Sequence, residues 1–161
     1  MTTVEYNQCV DEFSDNVFRF ILKNIKDEDK AKDIVQESYV KMWDKVKSIE
    51  FIKAKSYLFT TAYHTMIDQI RKDKKFTQFE EAPYDSFSHE NGYSDLSEIL
   101  NEAAEKLPKI QRTVILLRDY EGYSYKEIGE ITKLGESQVK VYIYRARLSM
   151  KKYLVSMDKV Y

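Results

Sequence analysis

The sequence contains little glycine and proline, only 4 Gly and 2 Pro in 161 residues. Sandwiches and barrels need turn residues at short intervals, so this scarcity favours helices. The single cysteine, Cys9, excludes an internal disulfide and a zinc site built from several cysteines. Cys9 lies on an apolar stripe, and we expect it to be a small buried side chain.

Long apolar runs are also missing. No stretch approaches the ~20 apolar residues that a membrane-spanning helix needs. The N-terminal segment carries Glu5, Asp11, Glu12 and Asp15 and lacks the apolar core of a signal peptide. These features predict a cytoplasmic protein.

The groups that enzymes use most often are scarce as well. His64 and His89 are the only histidines, and no cluster of metal ligands is apparent. There is no glycine-rich phosphate loop and no nucleophile motif. An enzyme is therefore the least favoured class, and we predict no catalytic residue, no metal and no cofactor.

The net charge is −1, but the charge is unevenly distributed. Residues 76–95 hold five acidic side chains and no Lys or Arg, whereas residues 96–161 hold 12 Lys or Arg against 9 Asp or Glu. With 43% hydrophobic residues the chain can bury a core. An acidic middle segment thus precedes a mildly basic C-terminal end.

Apolar residues recur at helical spacing in two blocks. In the first block we predict helices over residues 4–23, 28–46 and 54–72, with Asp27 as the N-cap of the second helix and residues 47–53 as a loop. In the second block we predict helices over residues 95–107, 109–119, 124–132 and 137–153.

Local signals mark the helix ends of the second block. Capping boxes are expected at Asp95–Glu98 and Ser124–Glu127. Residues 133–136 are expected to form a turn in which Gly135 is available for a left-handed conformation, and Ser137 is expected to cap the last helix.

These patterns predict an all-α protein with two small helical domains. The predicted boundaries are residues 1–75 for the first domain, 76–94 for an acidic linker and 95–161 for the second domain. The linker contains several aromatic residues. Docking onto a partner and a plain spacer both remain open for it.

Residues 124–152 have the form of a helix-turn-helix. Cations lie away from the predicted buried face of its second helix: Lys140, Arg145, Arg147, Lys151 and Lys152. Such side chains suit contacts to phosphates and base edges in the major groove. A solvated charged face is the alternative.

The second block resembles region 4 of the extracytoplasmic-function (ECF, group 4) sigma factors of the sigma-70 family. The matching segments are Leu107–Arg112, Leu116–Ile128, Ser137–Lys140 and Tyr144–Arg147. The first block resembles region 2 of the same family. Asp29–Trp43 is similar to region 2.2, and Tyr57–Phe59, Ile67–Asp68 and Arg71–Lys72 are similar to regions 2.3 and 2.4.

The resemblance implies a protein that binds core RNA polymerase and directs it to promoter DNA. In that family, region 2 docks on the β′ clamp helices and opens the −10 element, and region 4 reads the −35 element and meets the β-flap. For core binding it implies Asp33, Gln36, Glu37 and Trp43. For the −10 element it implies Phe51, His64, Asp68, Arg71 and Lys72. For the −35 element it implies Arg112, Ser137, Gln138, Lys140, Tyr142, Arg145 and Arg147.

Several positions depart from the family pattern or stay ambiguous. Many members have Asn where this chain has His64, and polar or basic residues where it has Val141 and Tyr142. Phe51 is a candidate to stack on a base, and a core aromatic is the alternative. Gln138 is expected to pair with adenine and Lys140 with guanine or phosphate.

The alternative function is a helix-turn-helix transcriptional regulator that does not associate with core polymerase. Its N-terminal helices would serve dimerisation or sensing, and it would have no use for a region 2.2-like segment. If the chain is a sigma factor, an anti-sigma factor or another recruiting protein is a further partner that the sequence leaves open.

Overall fold

The computed structural model describes residues 1–76 and 96–158. The N-terminal half consists of α1 (Thr3–Ile25), α2 (Glu28–Asp44) and α3 (Ala54–Phe76). The C-terminal half consists of α4 (Leu96–Glu105), α5 (Lys109–Ile115), a π-helical turn (Leu116–Tyr120), α6 (Tyr125–Thr132) and α7 (Glu136–Asp158). The described residues contain helices and turns but no strand, which confirms the all-α prediction. None of the helices in these ranges is both long enough and apolar enough to cross a membrane.

The start of α2 follows from its sequence. The Asp27 side chain accepts a hydrogen bond from the Lys30 backbone N–H at 3.1 Å, as the predicted N-cap requires. The stripe at helical spacing is buried: Ala31, Ile34, Val35, Ser38 and Met42. The helix ends at Asp44, two residues before the predicted end, because 3₁₀ turns form at Val46–Ser48 and Phe51–Lys53 within the segment before α3.

The N-terminal half extends slightly beyond its predicted limit. α3 continues to Phe76, four residues past the predicted end at Lys72 and one residue into the predicted linker. The rest of that linker, with its acidic and aromatic side chains, lies outside the described residues. Asp95 of the first predicted capping box lies outside them too.

The predicted capping box at α6 is present. The Glu127 N–H donates to the Ser124 hydroxyl and the Ser124 N–H donates to the Glu127 carboxylate, both at 3.1 Å. Gly129 lets the following turn pass close to α6, because a Cβ there would lie 2.8 Å from the Leu134 carbonyl oxygen. A side chain at this position would therefore push the turn away from the helix.

Two predictions about that turn were wrong. Lys133, with φ of 63°, takes the left-handed conformation, and Gly135 does not. The left-handed residue is needed directly after the last residue of α6, and Lys133 occupies that place. The predicted cap Ser137 lies inside the first turn of α7, because the helix begins at Glu136. Gly135 is therefore the N-cap, and its carbonyl accepts the first helical hydrogen bond, from the Val139 N–H at 3.0 Å.

The two halves pack against each other through one continuous apolar core. The ring of Phe59 on α3 lies between Phe20 of α1 and Tyr123 of the C-terminal half, with centroid distances of 5.6 and 5.5 Å. The buried Thr113 hydroxyl donates to the Asn24 side-chain oxygen at 3.2 Å. Cys9 is fully buried in the same core, as expected.

Candidate functional surfaces

α2 presents a polar face on the side opposite its buried stripe. Asp33, Gln36 and Glu37 are all exposed there. The Glu37 carboxylate lies 3.4 Å from the Lys41 ammonium one turn further on. Both side chains of this ion pair are about half exposed, so the pair is screened by water and contributes little to stability. The carboxylates therefore remain accessible to a basic partner.

Two apolar side chains are exposed on the same helix. Val40 is 60% exposed, four residues after Gln36 and three after Glu37 on the polar face. Trp43 is 45% exposed and packs edge-on against Tyr6, with ring centroids 5.0 Å apart. The sequence analysis did not identify Val40. Its position outside the apolar period of the buried stripe indicated an exposed apolar side chain. An apolar centre with a polar rim is typical of a protein interface.

The turn before α3 exposes another apolar side chain that sequence reasoning missed. Ile52 is 88% exposed, whereas the predicted base-stacking residue Phe51 is partly buried. Lys53, next to Ile52, is exposed as well and lies 3.9 Å from Glu50. Apolar side chains at such positions can insert between base steps.

The predicted −10 residues on α3 are only partly brought together. Asp68, Arg71 and Lys72 are exposed on consecutive turns. His64 is half-buried instead, and its Nε2 has no hydrogen-bond partner within the described residues. Burial lowers the pKa of His64, as does Lys133 at the end of α6, while Asp68 and the Ile131 backbone act in the opposite direction. His64 therefore faces the C-terminal half of the protein.

Four of the predicted −35 residues share one face of α7. Ser137, Gln138, Tyr142 and Arg145 line a shallow open depression together with Val141, which is 44% exposed. The buried residues Val139, Ile143 and Ala146 lie on the opposite side of the helix. This face combines hydroxyl, amide and guanidinium groups, which suits the major groove.

Two further cations of the predicted −35 set lie on a different side of α7. Arg147 Nη2 is 2.8 Å from Asp119 Oδ1 of the π-helical turn. Lys140 Nζ is 3.8 Å from Glu136 Oε1 and 5.7 Å from the ring centroid of Tyr125. The structure therefore separates these two side chains from the depression. Sequence reasoning had grouped all six residues.

Arg112 lies on α5, away from the residues that line the depression. It is partly buried, and its Nε atom is enclosed by protein. Enclosure of one edge of a guanidinium limits how many of its donors can reach a phosphate. Arg112 is thus less available to DNA than Arg145.

Charged groups line the contact between the two halves. Lys23 Nζ lies 3.8 Å from the ring centroid of Tyr120, and Lys26 Nζ lies 3.8 Å from Glu105 Oε2. These side chains join α1 to the C-terminal half.

Glu121 lies among three cations of the N-terminal half. Burial raises the pKa of its carboxyl above the usual value, although Lys55, Arg19 and Lys23 act to lower it. The net direction indicates that the loss of hydration outweighs the attraction of the three cations. The contact between the halves therefore contains a carboxyl group whose loss of hydration is not fully offset by the nearby cations.

Comparison with known proteins assigns both halves. Residues 9–76 match the family model described as Sigma-70 region 2, and residues 97–150 match the model described as Sigma-70, region 4. The RNA polymerase sigma factor SigV of Bacillus subtilis (strain 168) is 32% identical over 153 residues, which are 93% of this chain and 91% of the relative. The ECF RNA polymerase sigma factor SigM of the same organism is 28% identical over 144 residues, 86% of this chain and 88% of the relative.

Solved structures show the same fold. The sigma factor RpoE from Bartonella quintana, in complex with the anti-sigma factor NepR, superposes with a TM-score of 0.75 at 24% identity, covering 92% of this chain and 96% of that one. CnrH, in complex with the cytosolic domain of CnrY, superposes with a TM-score of 0.67 at 19% identity, covering 94% and 88%.

The chain belongs to the ECF sigma factors of the sigma-70 family. Its function is that of an RNA polymerase sigma factor in transcription initiation, as the motifs had predicted. A helix-turn-helix regulator that does not associate with core polymerase is not favoured, because both sigma regions are present in one chain.

Proposed function

We propose that two domains, with the boundaries predicted above, carry separate binding functions. Residues 1–75 bind core polymerase and the −10 element, and residues 95–161 bind the −35 element, with residues 76–94 as the linker. The observation that carries this proposal is the exposed face of α2, where Asp33, Gln36 and Glu37 precede the exposed Val40. A DNA-binding regulator has no need for such a face.

The partner of this face is the β′ clamp helices. Acidic and amide groups around an exposed apolar side chain complement a basic helical surface. Trp43 extends the surface at the end of α2, where it is 45% exposed. The C-terminal half meets the β-flap, as the family resemblance implies.

Promoter opening belongs to α3 and the turns before it. Arg71 and Lys72 supply exposed cations for the strand backbone, and Ile52 and Phe51 supply apolar surface for unstacked bases. Asp68 is exposed beside the two cations. In the arrangement in which the two halves pack together, here called closed, His64 faces the end of α6. His64 can therefore join this surface only after α6 has moved away.

The contact between the two halves supports a further part of the proposal, that the chain opens on polymerase. The −10 and −35 elements are separated by about 25 base pairs, or roughly 85 Å at 3.4 Å per base pair. Phe59 and Tyr123 hold α3 and the C-terminal half in direct contact. One closed molecule therefore cannot reach both elements at once.

The function is tested by reconstitution. The purified chain is added to core polymerase lacking other sigma factors, and transcripts are sequenced from a library of random promoters. We expect initiation at templates that share two short motifs. Transcription that is no greater than with core polymerase alone would contradict the proposal.

Three further expectations follow from this role. The polymerase supplies the chemistry, so the chain is not an enzyme, and it acts in the cytoplasm where polymerase works. RpoE was solved with the anti-sigma factor NepR and CnrH with the cytosolic domain of CnrY, and we expect this chain to accept a partner of the anti-sigma class. Purification of the tagged chain from its own cells, followed by a core-competition assay on any bound polypeptide, tests that partner.

A further inference from the structure

The first turn of α7 is held by a side chain that faces the DNA-binding depression. The Gln138 side-chain oxygen accepts a hydrogen bond from the Gly135 N–H at 2.9 Å. Gln138 is the third helical residue, and Gly135 is the N-cap. This contact is one half of a capping box, and the other half is missing because glycine has no side chain.

The contact restricts what Gln138 can offer to DNA. The cap uses one of the two lone pairs of the amide oxygen and holds that oxygen towards Gly135. Pairing of glutamine with adenine uses both ends of the amide, with the oxygen accepting from N6 and the NH₂ group donating to N7. Two-bond pairing with adenine would therefore require the oxygen to accept from adenine N6 and from the Gly135 N–H at the same time.

The NH₂ group of Gln138 remains available on the same face as Tyr142 and Arg145. Arg145 can only donate, and Tyr142 can donate through its hydroxyl. The face is consequently rich in donors. The acceptors in the major groove are the N7 of both purines, the O6 of guanine and the O4 of thymine, and the NH₂ half of the pairing with adenine goes to N7.

We propose that Gln138 has two separate roles in this sigma factor. Its oxygen positions the first turn of α7 through Gly135, and its NH₂ group alone contacts a purine N7 or O6 in the −35 element. The inference rests on the proposed −35 role of α7. It assigns a single hydrogen bond to a position where a two-bond contact to adenine was expected.

Two substitutions separate the roles. Gln138→Glu keeps an oxygen for the cap and removes the donor, whereas Gln138→Ala removes both. We expect Gln138→Glu to keep the thermal stability of the full chain and Gln138→Ala to lower it. We expect both variants to weaken binding of the holoenzyme to its preferred duplex by roughly 3- to 10-fold, the effect of about one directed hydrogen bond.

Modified bases show which atom is contacted and control for the charge that glutamate adds. The probe is the −35 duplex that the wild-type holoenzyme selects from a random library, with each purine replaced in turn. At one position, a 7-deaza purine (or, at a guanine, a base lacking O6) should weaken wild-type binding by the same 3- to 10-fold. The same replacement should cause no further loss with Gln138→Glu. At an adenine, removal of the 6-amino group should have no effect.

Contrary outcomes are distinct. Equal losses from removing N7 and the 6-amino group would show two-bond pairing with adenine and overturn the inference. The inference would also be overturned if the Gln138→Glu variant bound the duplex with wild-type affinity. A further loss of that variant's affinity at every replaced purine would overturn it too. A wild-type holoenzyme that selects no −35 sequence would overturn the proposed function, and this inference with it.

Discussion

The rings of Phe59 and Tyr123 meet edge to face across the two halves of the protein, with centroids 5.5 Å apart and an interplanar angle of 72°. Phe59 is fully buried and Tyr123 nearly so. Burial raises the pKa of the Tyr123 hydroxyl, and Glu121 adds to that effect. Opening of the chain would expose both rings to water, so a partner that stabilises the open form must compensate for this loss.

Locking the halves together should abolish function. Asn24 and Thr113 are joined by a buried hydrogen bond at 3.2 Å, so the double substitution Asn24→Cys and Thr113→Cys places two thiols close together. We expect the oxidised protein to remain helical and to lose promoter-directed transcription, and reduction to restore it. Cys9 will not interfere, because it is fully buried and burial raises its pKa to about 11.

The control for this experiment is Asn24→Cys alone under the same oxidation. A short, reducible thiol cross-linker replaces direct oxidation if the two sulfur atoms cannot meet. Full transcription by the cross-linked chain would show that the closed arrangement does not need to open.

Reversal of charge on the α2 face should weaken core binding. We expect Glu37→Lys to raise the dissociation constant for core polymerase by roughly tenfold, or about 1.4 kcal/mol, because it repels a basic surface. Fluorescence anisotropy of the labelled chain measures the change. The matched control is Glu12→Lys on α1, an exposed glutamate away from the face. Equal effects of the two substitutions would argue against a specific docking surface.

Loss of the cations at the end of α3 should impair promoter opening more than core binding. Arg71→Ala and Lys72→Ala each remove an exposed charge that can hold the separated strand. Permanganate footprinting should show less reactive thymine in the −10 region, while the affinity for core polymerase stays near the wild-type value. The control is Lys32→Ala, which removes an exposed lysine that lies 3.2 Å from Glu28. The assignment fails if footprints of the Arg71 and Lys72 variants match those of the control.

Arg145 and Arg147 should behave differently although they are two residues apart. Arg145 lines the depression on α7, so Arg145→Ala should lower −35 binding without loss of stability. Arg147 pairs with Asp119 at 2.8 Å, and both side chains are about half exposed. Arg147→Ala should therefore cost under about 1 kcal/mol of folding stability and little DNA affinity. Band-shift titration and thermal melting measure the two effects, and the reverse pattern would contradict the geometry.

The closed protein should lose stability as the pH falls below the ordinary pKa of a histidine side chain. The pKa of His64 is lowered from 6.5, chiefly by burial, so the folded protein favours the neutral ring. The unfolded chain takes up the proton first, and the stabilisation is lost as the pH falls from 6.5 through the lowered pKa. Melting temperatures at pH 7.5 and 5.5 should differ more for the wild type than for His64→Asn. Equal differences would show that another group controls this range.

Much of the fold was predictable because it depends on local patterns. The apolar period of α2 predicted the stripe from Ala31 to Met42, and Asp27 and Ser124 predicted two helix starts from short-range hydrogen bonds. The start of α7 was harder to predict. Gly135 and Ser137 are both acceptable caps, and the Gln138 contact to the Gly135 N–H coincides with the earlier start.

The candidate surfaces were predictable only as sets of residues. Helical spacing placed Asp33, Gln36 and Glu37 on one face, and the structure has all three exposed. Spacing could not separate Arg147 from Arg145, because the partner of Arg147 is Asp119, 28 residues earlier in the chain. Nor could it show that Lys133 and the Ile131 backbone act on the pKa of His64, because that proximity depends on how α3 meets α6.

The sequence by itself determined the helices, their buried stripes and the family, since each of these depends on residues close together in the chain or on motifs in a fixed order. The tertiary structure alone decided that the two halves share one core and that His64, part of the predicted −10 surface, is half-buried. The hydrogen bond between Asn24 and Thr113 spans 89 positions, and no local pattern encodes such a pairing. It results from burying the apolar faces that the helices of each half do not cover by themselves.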